Sequence, residues 1–172
     1  TQLDFANLSD NQISDLSPLA GYLSAEVTTS GEIWLNDNQI SDISVFAGST
    51  NVTQLELNRN HIFDVSPLSD PHHFLSRWTV SNQTVTLTGH VAETEVYSGI
   101  IEVDGTHAAA TITEGEATAR GKEQTRRPDL EIGNLITWSN EASGQFTWEV
   151  STTQNCWWSC YFSGTATVII EP

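Results

Sequence analysis

The sequence predicts a mostly-β chain in two fused parts, a solenoid of short parallel strands and 3₁₀ turns followed by a small β-sandwich. Three observations predict it. A twelve-residue segment recurs three times without gaps in the first half of the chain. An asparagine marks the same place in each copy, at Asn11, Asn38 and Asn60, spaced 27 and 22 residues apart. After Asn82 that period gives way to alternation of apolar and polar residues, the pattern of half-buried strands.

The three copies are LSDNQISDLSPL (Leu8–Leu19), LNDNQISDISVF (Leu35–Phe46) and LNRNHIFDVSPL (Leu57–Leu68). Extended backwards they fit the leucine-rich-repeat frame L-x-x-L-x-L-x-x-N, with Leu3, Ala6 and Leu8, then Ser30, Ile33 and Leu35, then Val52, Leu55 and Leu57. Each unit supplies a strand whose apolar residues enter a shared core, and stacking units makes a parallel sheet. The asparagine falls where the chain leaves the strand, and its amide can satisfy backbone groups that the turn would strand. Ile13, Ile40 and Ile62 point back inside, and Pro18 and Pro67 open a return segment too short for a long α-helix, so 3₁₀ turns are expected. Five extra residues in the first interval are expected to bulge within Ser24–Gly31. A fourth, decayed unit would end at Asn82, with Phe74, Arg77 and Thr79 in its inward slots.

Residues 1–82 are thus assigned to the repeats and 83–172 to the sandwich. In the second part Val85 and Leu87 alternate with threonines, Phe146, Trp148 and Val150 alternate with Thr147 and Glu149, and Phe162–Ile170 forms a last alternating run. Asp104–Gly105, Asn134 and Ser143–Gly144 supply turns. No linker rich in Pro or Gly separates the parts, so they should be rigidly fused.

The 172 residues carry 22 acidic and 6 basic side chains, a formal net charge of −16. The excess is even: 10 acids and 2 bases lie in 1–82, and 12 and 4 in 83–172. Such a charge argues against nucleic acid and against an anionic membrane surface, both of which need clustered Lys and Arg. No apolar run approaches the roughly 18 residues of a spanning helix, so direct membrane insertion is not expected. The chain contains no methionine, which reads as an internal piece of a longer protein. On that reading the strand beginning at Leu3 and Phe5 should present an open edge.

Residues between the core positions of a repeat sheet face its concave side. The frame places Phe5, Glu32, Gln54 and Ser76 in one ladder and Asn7, Trp34, Glu56 and Trp78 in the next. Trp34 and Trp78 are large aromatics where packing does not demand them, as interface anchors are. The alternative for Trp78 is that it covers the junction with the sandwich. Glu32 and Glu56 favour a basic partner or are plain solvated charges. A glycosidase would need two carboxylates roughly 5–9 Å apart across a desolvating cleft, and the pattern supplies no such cleft. No nucleophile triad, phosphate loop or metal-ligand spacing appears, so neither enzyme, metal nor cofactor is expected. The histidines (His61, His72, His73, His90, His107) are scattered, and His72–His73, in a Pro-containing loop, reads as ordinary surface. Arg120, Lys122, Arg126 and Arg127 gather four of the six basic residues in a polar stretch, Thr113–Pro128, that reads as a solvated loop, with a site for an acidic surface or a cell-wall polyanion as the alternative.

The repeats, with their NQISD[LI]SPL signature, resemble those of the internalins, leucine-rich-repeat surface proteins of Gram-positive bacteria. The second part is similar to the immunoglobulin-like module that follows internalin repeats, on the residues VDGT (Val103–Thr106), ITW (Ile136–Trp138), FTWEV (Phe146–Val150) and FSGTATV (Phe162–Val168). The resemblance implies an exported, cell-wall-associated recognition or adhesion module that grips a protein receptor with its concave face. Carbohydrate binding by exposed tryptophans, and a structural spacer that binds nothing, are the alternatives. In an exported protein Cys156 and Cys160 are expected to close a small disulfide loop that holds Trp157 and Trp158. A straight strand would separate their Cα atoms by about 13 Å, so that bridge needs a turn between them.

Overall fold

A short extended segment with apolar residues on one side cannot bury that side alone, and stacking copies buries it. The computed structural model shows this stacking; it describes residues 4–23, 31–69, 75–90, 96–114, 117–120, 132–133, 135–138, 144–152 and 160–171. Strands β1 (Phe5–Asn7), β2 (Gly31–Trp34), β3 (Val52–Glu56) and the start of β4 (Arg77–His90) pair in parallel, in chain order. Ala6, Ile33, Leu55 and Trp78 stand in register as one inward column. Leu35, Leu57 and Val80 continue the next, all three fully buried. Full burial of side chains of this size stabilises by about 1.5–3 kcal/mol each.

The asparagines bind neighbouring units together. Asn60 is fully buried; its Oδ1 accepts the Ile40 N–H at 3.0 Å, and its Nδ2 donates to the carbonyls of Leu35 and Leu57, both at 3.0 Å. Asn38 does the same one unit earlier, accepting from Ile13 at 2.9 Å and donating to Leu8 and Leu35. The residue before each carboxamide adopts a left-handed backbone: Asp10, Asp37, Arg59 and Asn82 have φ of 55–58°. Asp and Asn tolerate that conformation. Arg59 is the exception, and its guanidinium pairs with Asp37 of the preceding unit.

The fourth unit sits one residue later than the sequence frame places it. Gln83, not Asn82, completes the series: its Oε1 accepts the Ile62 N–H at 3.0 Å and its Nε2 donates to the Leu57 carbonyl at 2.9 Å. The inward residues are Leu75, Trp78 and Val80, while Arg77 is exposed. Phe74, expected inward, lies outside the described residues. The reason is chemical: glutamine carries the same amide as asparagine, and Asn82 is the better residue for the left-handed position before it.

On the outer side the expected 3₁₀ turns form at Ser17–Leu19, Ser44–Phe46 and Ser66–Leu68, the first running into a helical turn at Ala20–Leu23. Asp15, Asp42 and Asp64 each accept the N–H two residues on, at 2.7–2.8 Å, and so start these turns. The bulge expected within Ser24–Gly31 lies outside the described residues, except that Gly31 opens β2.

Strand β4 runs for 14 residues, straight through the expected boundary at 82/83. Its other edge pairs in parallel with β11 (Cys160–Glu171), which pairs antiparallel with β10 (Gly144–Thr152). β6 (Ala110–Glu114) and β8 (Ile132–Gly133) follow, so one sheet has the order β1-β2-β3-β4-β11-β10-β6-β8. A second sheet contains β5 (Val96–Tyr97), β9 (Leu135–Trp138) and β7 (Ala117–Arg120), in that order. The loop expected over Thr113–Pro128 is therefore strand at both Thr113–Glu114 and Ala117–Arg120, where alternating Thr and Ala suit a pleated sheet. Lys122, Arg126 and Arg127 lie outside the described residues.

The core is continuous across the shared strand, with Trp78 and Val80 joined by Phe146, Trp148, Phe162 and Ala166. Gly164 permits this: a Cβ there would lie 2.5 Å from the Gln83 carbonyl oxygen and 2.6 Å from the Trp148 ring. A second strap comes from the VDGT turn, where Gly105 has φ 78° and Asp104 accepts the Thr106 N–H at 2.9 Å. The segment leading into it exchanges backbone bonds with the third unit, Ile101 N–H to Phe63 O at 2.7 Å and Val65 N–H to Ile101 O at 3.0 Å. Cys160 is buried, and its Sγ accepts the Trp78 N–H at 3.3 Å. Cys156, Trp157 and Trp158 lie outside the described residues.

Two predictions follow from these bonds. Asn60→Ala leaves the Ile40 N–H unpaired inside the stack, at a cost of about 1–3 kcal/mol, and takes one of two carboxamide donors from each of the Leu35 and Leu57 carbonyls, which keep those of Asn38 and Gln83. It should lower the urea unfolding free energy by about 2 kcal/mol, against less than about 1 kcal/mol for Asn11→Ala at the exposed end of the series. The carboxyls of Asp15 and Asp42 are held below their ordinary value of 3.8, chiefly by the Ser17 and Ser44 backbone N–H groups. A group depressed in the folded state stabilises the fold above its unfolded pKa and stops doing so as pH falls through the folded one. Unfolding free energy should therefore decline below about pH 4, and the Asp15→Asn, Asp42→Asn double variant should decline less steeply in urea titrations at matched pH.

Candidate functional site

Every strand of the repeat sheet turns alternate residues outward, and register decides which of them stand side by side. One outward ladder is Phe5, Glu32, Gln54 and Arg77; the next is Asn7, Trp34, Glu56 and Thr79. Six of the eight residues that the frame places in these ladders stand in them. Trp78 does not. The one-residue offset of the fourth unit turns it inward opposite Leu55, where it is 0% exposed, and Arg77 and Thr79 take the outward places assigned to Ser76 and Trp78.

At the β1 end the face is aromatic. Phe5 is 47% exposed and stands edge-on to Trp34, ring centroids 4.8 Å apart and planes at 89°. Trp34 is half-buried, and its indole N–H has no hydrogen-bond partner among the described residues. The carboxylates beside it accept hydrogen bonds from neutral amides. Glu32 Oε1 accepts from Gln54 Nε2 at 3.1 Å, and Glu56 Oε2 accepts from Asn36 Nδ2 at 2.9 Å. Asn36 and Asn58 fix the rim, with Asn36 Oδ1 accepting the Asn58 N–H and Asn58 Oδ1 accepting the Ser81 N–H. Beyond them, hydrogen bonds from the Arg59 guanidinium hold the Asp37 carboxyl below the usual range and push Arg59 up in return.

The face does not stop at the repeats. Thr79 stands opposite Tyr161, and Tyr161 opposite Ser151, so one outward row crosses six strands as Asn7–Trp34–Glu56–Thr79–Tyr161–Ser151. Tyr161 is 45% exposed. Farther along the strands Thr84, Thr165, Thr147 and Thr111 form a second row, with exposed Glu149 nearby on β10. Sequence periodicity could not supply Tyr161, because nothing in the chain announces that β11 docks beside β4. The signal was its place on the polar side of the alternating run Tyr161–Ile169.

Among the described residues no three His, Cys, Asp or Glu side chains converge as a metal site, and no helix is long and apolar enough to cross a membrane. His72 and His73 lie outside the described residues.

No family model matches the chain, and no curated protein matches it. Among solved structures it is similar to the functional domain of InlJ from Listeria monocytogenes, described as including a cysteine ladder. That similarity has 17% sequence identity and a TM-score of 0.45, and covers 81% of this chain but 29% of the other. The chain therefore spans less than a third of that neighbour's length.

The two tryptophans separate cleanly by experiment. Trp78→Ala should cost about 3–5 kcal/mol in denaturant unfolding, as core truncations of this size do. Trp34→Ala should cost about 1 kcal/mol or less, as outward positions do. Equal costs would contradict the one-residue offset of the fourth unit.

Proposed function

We propose that this chain is a non-catalytic recognition module of an exported bacterial surface protein, a leucine-rich-repeat solenoid fused to an immunoglobulin-like sandwich. It binds a protein partner across the open face of its long sheet. The observation that carries this reading is the exposed Phe5 ring set against Trp34 on a face where neither serves the core. Aromatic residues so placed are the usual anchors of protein interfaces, and surrounding polar side chains exclude water around them. Glu32, Glu56 and Glu149 outnumber Arg77 on the face, and among the described residues none of the three is in an ion pair. A partner with a basic surface complements that charge and gains association rate from it. The sheet is too open to desolvate a carboxyl for acid catalysis, which supports binding over hydrolysis.

Trp34→Ala and Tyr161→Ala test it, each checked first for an unchanged unfolding midpoint. Each should weaken capture of the protein partner at least ten-fold, about 1.4 kcal/mol, while Ser14→Ala on the outer side leaves it unaltered. Partner binding that survives both changes, or glycan-array binding abolished by Trp34→Ala, would overturn the protein-partner reading.

A further inference from the structure

The repeats act as internal controls for one another, and besides Arg59, which pairs with Asp37, the third departs from the first two on either side of its isoleucine. Where those read Gln12-Ile13-Ser14 and Gln39-Ile40-Ser41, the third reads His61-Ile62-Phe63. The isoleucine keeps its buried role, with Ile40 and Ile62 both 0% exposed. The two flanking residues become an imidazole and a phenyl ring. Packing does not consume the change, since Phe63 remains 38% exposed and His61 is exposed.

Both side chains open onto a groove of about 450 Å³, formed where β4 outruns the repeats and lies alongside the third unit's turn. Ser41, Thr84, Val85, Thr86 and Thr167 complete its lining, and among the described residues no Asp, Glu, Lys or Arg borders it. In a chain of net charge −16 such a neutral stretch is itself distinctive. His61 Nδ1 lies 2.8 Å from the Thr84 carbonyl oxygen. A carbonyl only accepts, so Nδ1 carries the proton and, in the neutral ring, Nε2 keeps a lone pair for a donor from outside. The groove thus offers an aromatic wall, an imidazole acceptor and a set of hydroxyls that both donate and accept. Its volume falls within the roughly 300–1,000 Å³ of small-molecule sites.

We propose that this groove is a subsite for a neutral mono- or disaccharide. A sugar has an apolar C–H face that lies on a phenyl ring and a rim of hydroxyls matched to Thr and His. Uncharged lining in an acidic protein admits a neutral sugar and disfavours an anionic one. The groove borders the far row of the long sheet at Thr84 but lies apart from the Phe5–Trp34 pair, on whose role it does not depend.

The repeats supply the test variants, because Phe63→Ser and His61→Gln restore residues that the sibling units already carry. The intact chain would be titrated by saturation-transfer NMR and calorimetry with glucose, galactose, N-acetylglucosamine, lactose and maltose, and with glucuronic acid as the anionic comparison. At least one neutral sugar should bind saturably, weaken at least ten-fold in Phe63→Ser and several-fold in His61→Gln, and bind Trp34→Ala as it binds the parent. Absence of binding across the panel, binding indifferent to both substitutions, or glucuronic acid binding as tightly as the neutral sugars would each overturn the proposal. Loss in Trp34→Ala alone would move sugar binding to the open face and overturn it as well.

Discussion

A buried carboxamide at the end of each inner strand ties its unit to the one before, and the register of the whole sheet rests on those bonds. Asn38, Asn60 and Gln83 each accept one N–H from the preceding turn and donate to carbonyls of two successive units, those of Leu57 and Ser81 in the case of Gln83. Hydrophobic burial alone would allow a strand to slide, since leucine columns are forgiving of small shifts. A hydrogen-bonded amide in a dry interior is not forgiving, because a slip leaves several backbone groups unpaired at once. The side chains that face outward together are therefore fixed by groups that face inward.

That constraint also explains how far the sequence could be read. Repeat spacing, the inward leucines, the outer 3₁₀ turns and the outward places of Phe5, Glu32 and Trp34 were legible, because three copies repeat one chemistry. The fourth unit was not, because its amide is a glutamine. Asn82 looks like the series member and instead takes the left-handed position that Asp10, Asp37 and Arg59 occupy before it. A single residue of offset moved Trp78 from the open face to the core and brought Arg77 out. Tyr161 was illegible for a different reason. Its place in the outward row depends on parallel pairing between strands about 80 positions apart in sequence, and no local pattern encodes a pairing so distant.

The junction departs most from a picture of two units in series. The 82/83 position lies inside a strand, Gly164 is kept bare by the Gln83 carbonyl and the Trp148 ring, and the VDGT segment clips to the third unit's backbone. The repeat strands and the strands that follow them therefore share one sheet. The row from Asn7 to Ser151 crosses from one to the other without a hinge.

The parallel pairing of β4 with β11 has a mechanical consequence. Tension between the repeats and the far end of β11 pulls along the two strands in opposite senses, so their hydrogen bonds are loaded together in shear and none is peeled open first. Bonds that share a load yield at far higher force than bonds broken one by one. A load applied between the repeats and the end of β11 would thus strain the joint in its most resistant direction, and the strand that makes the sheet continuous is also the one that resists its separation.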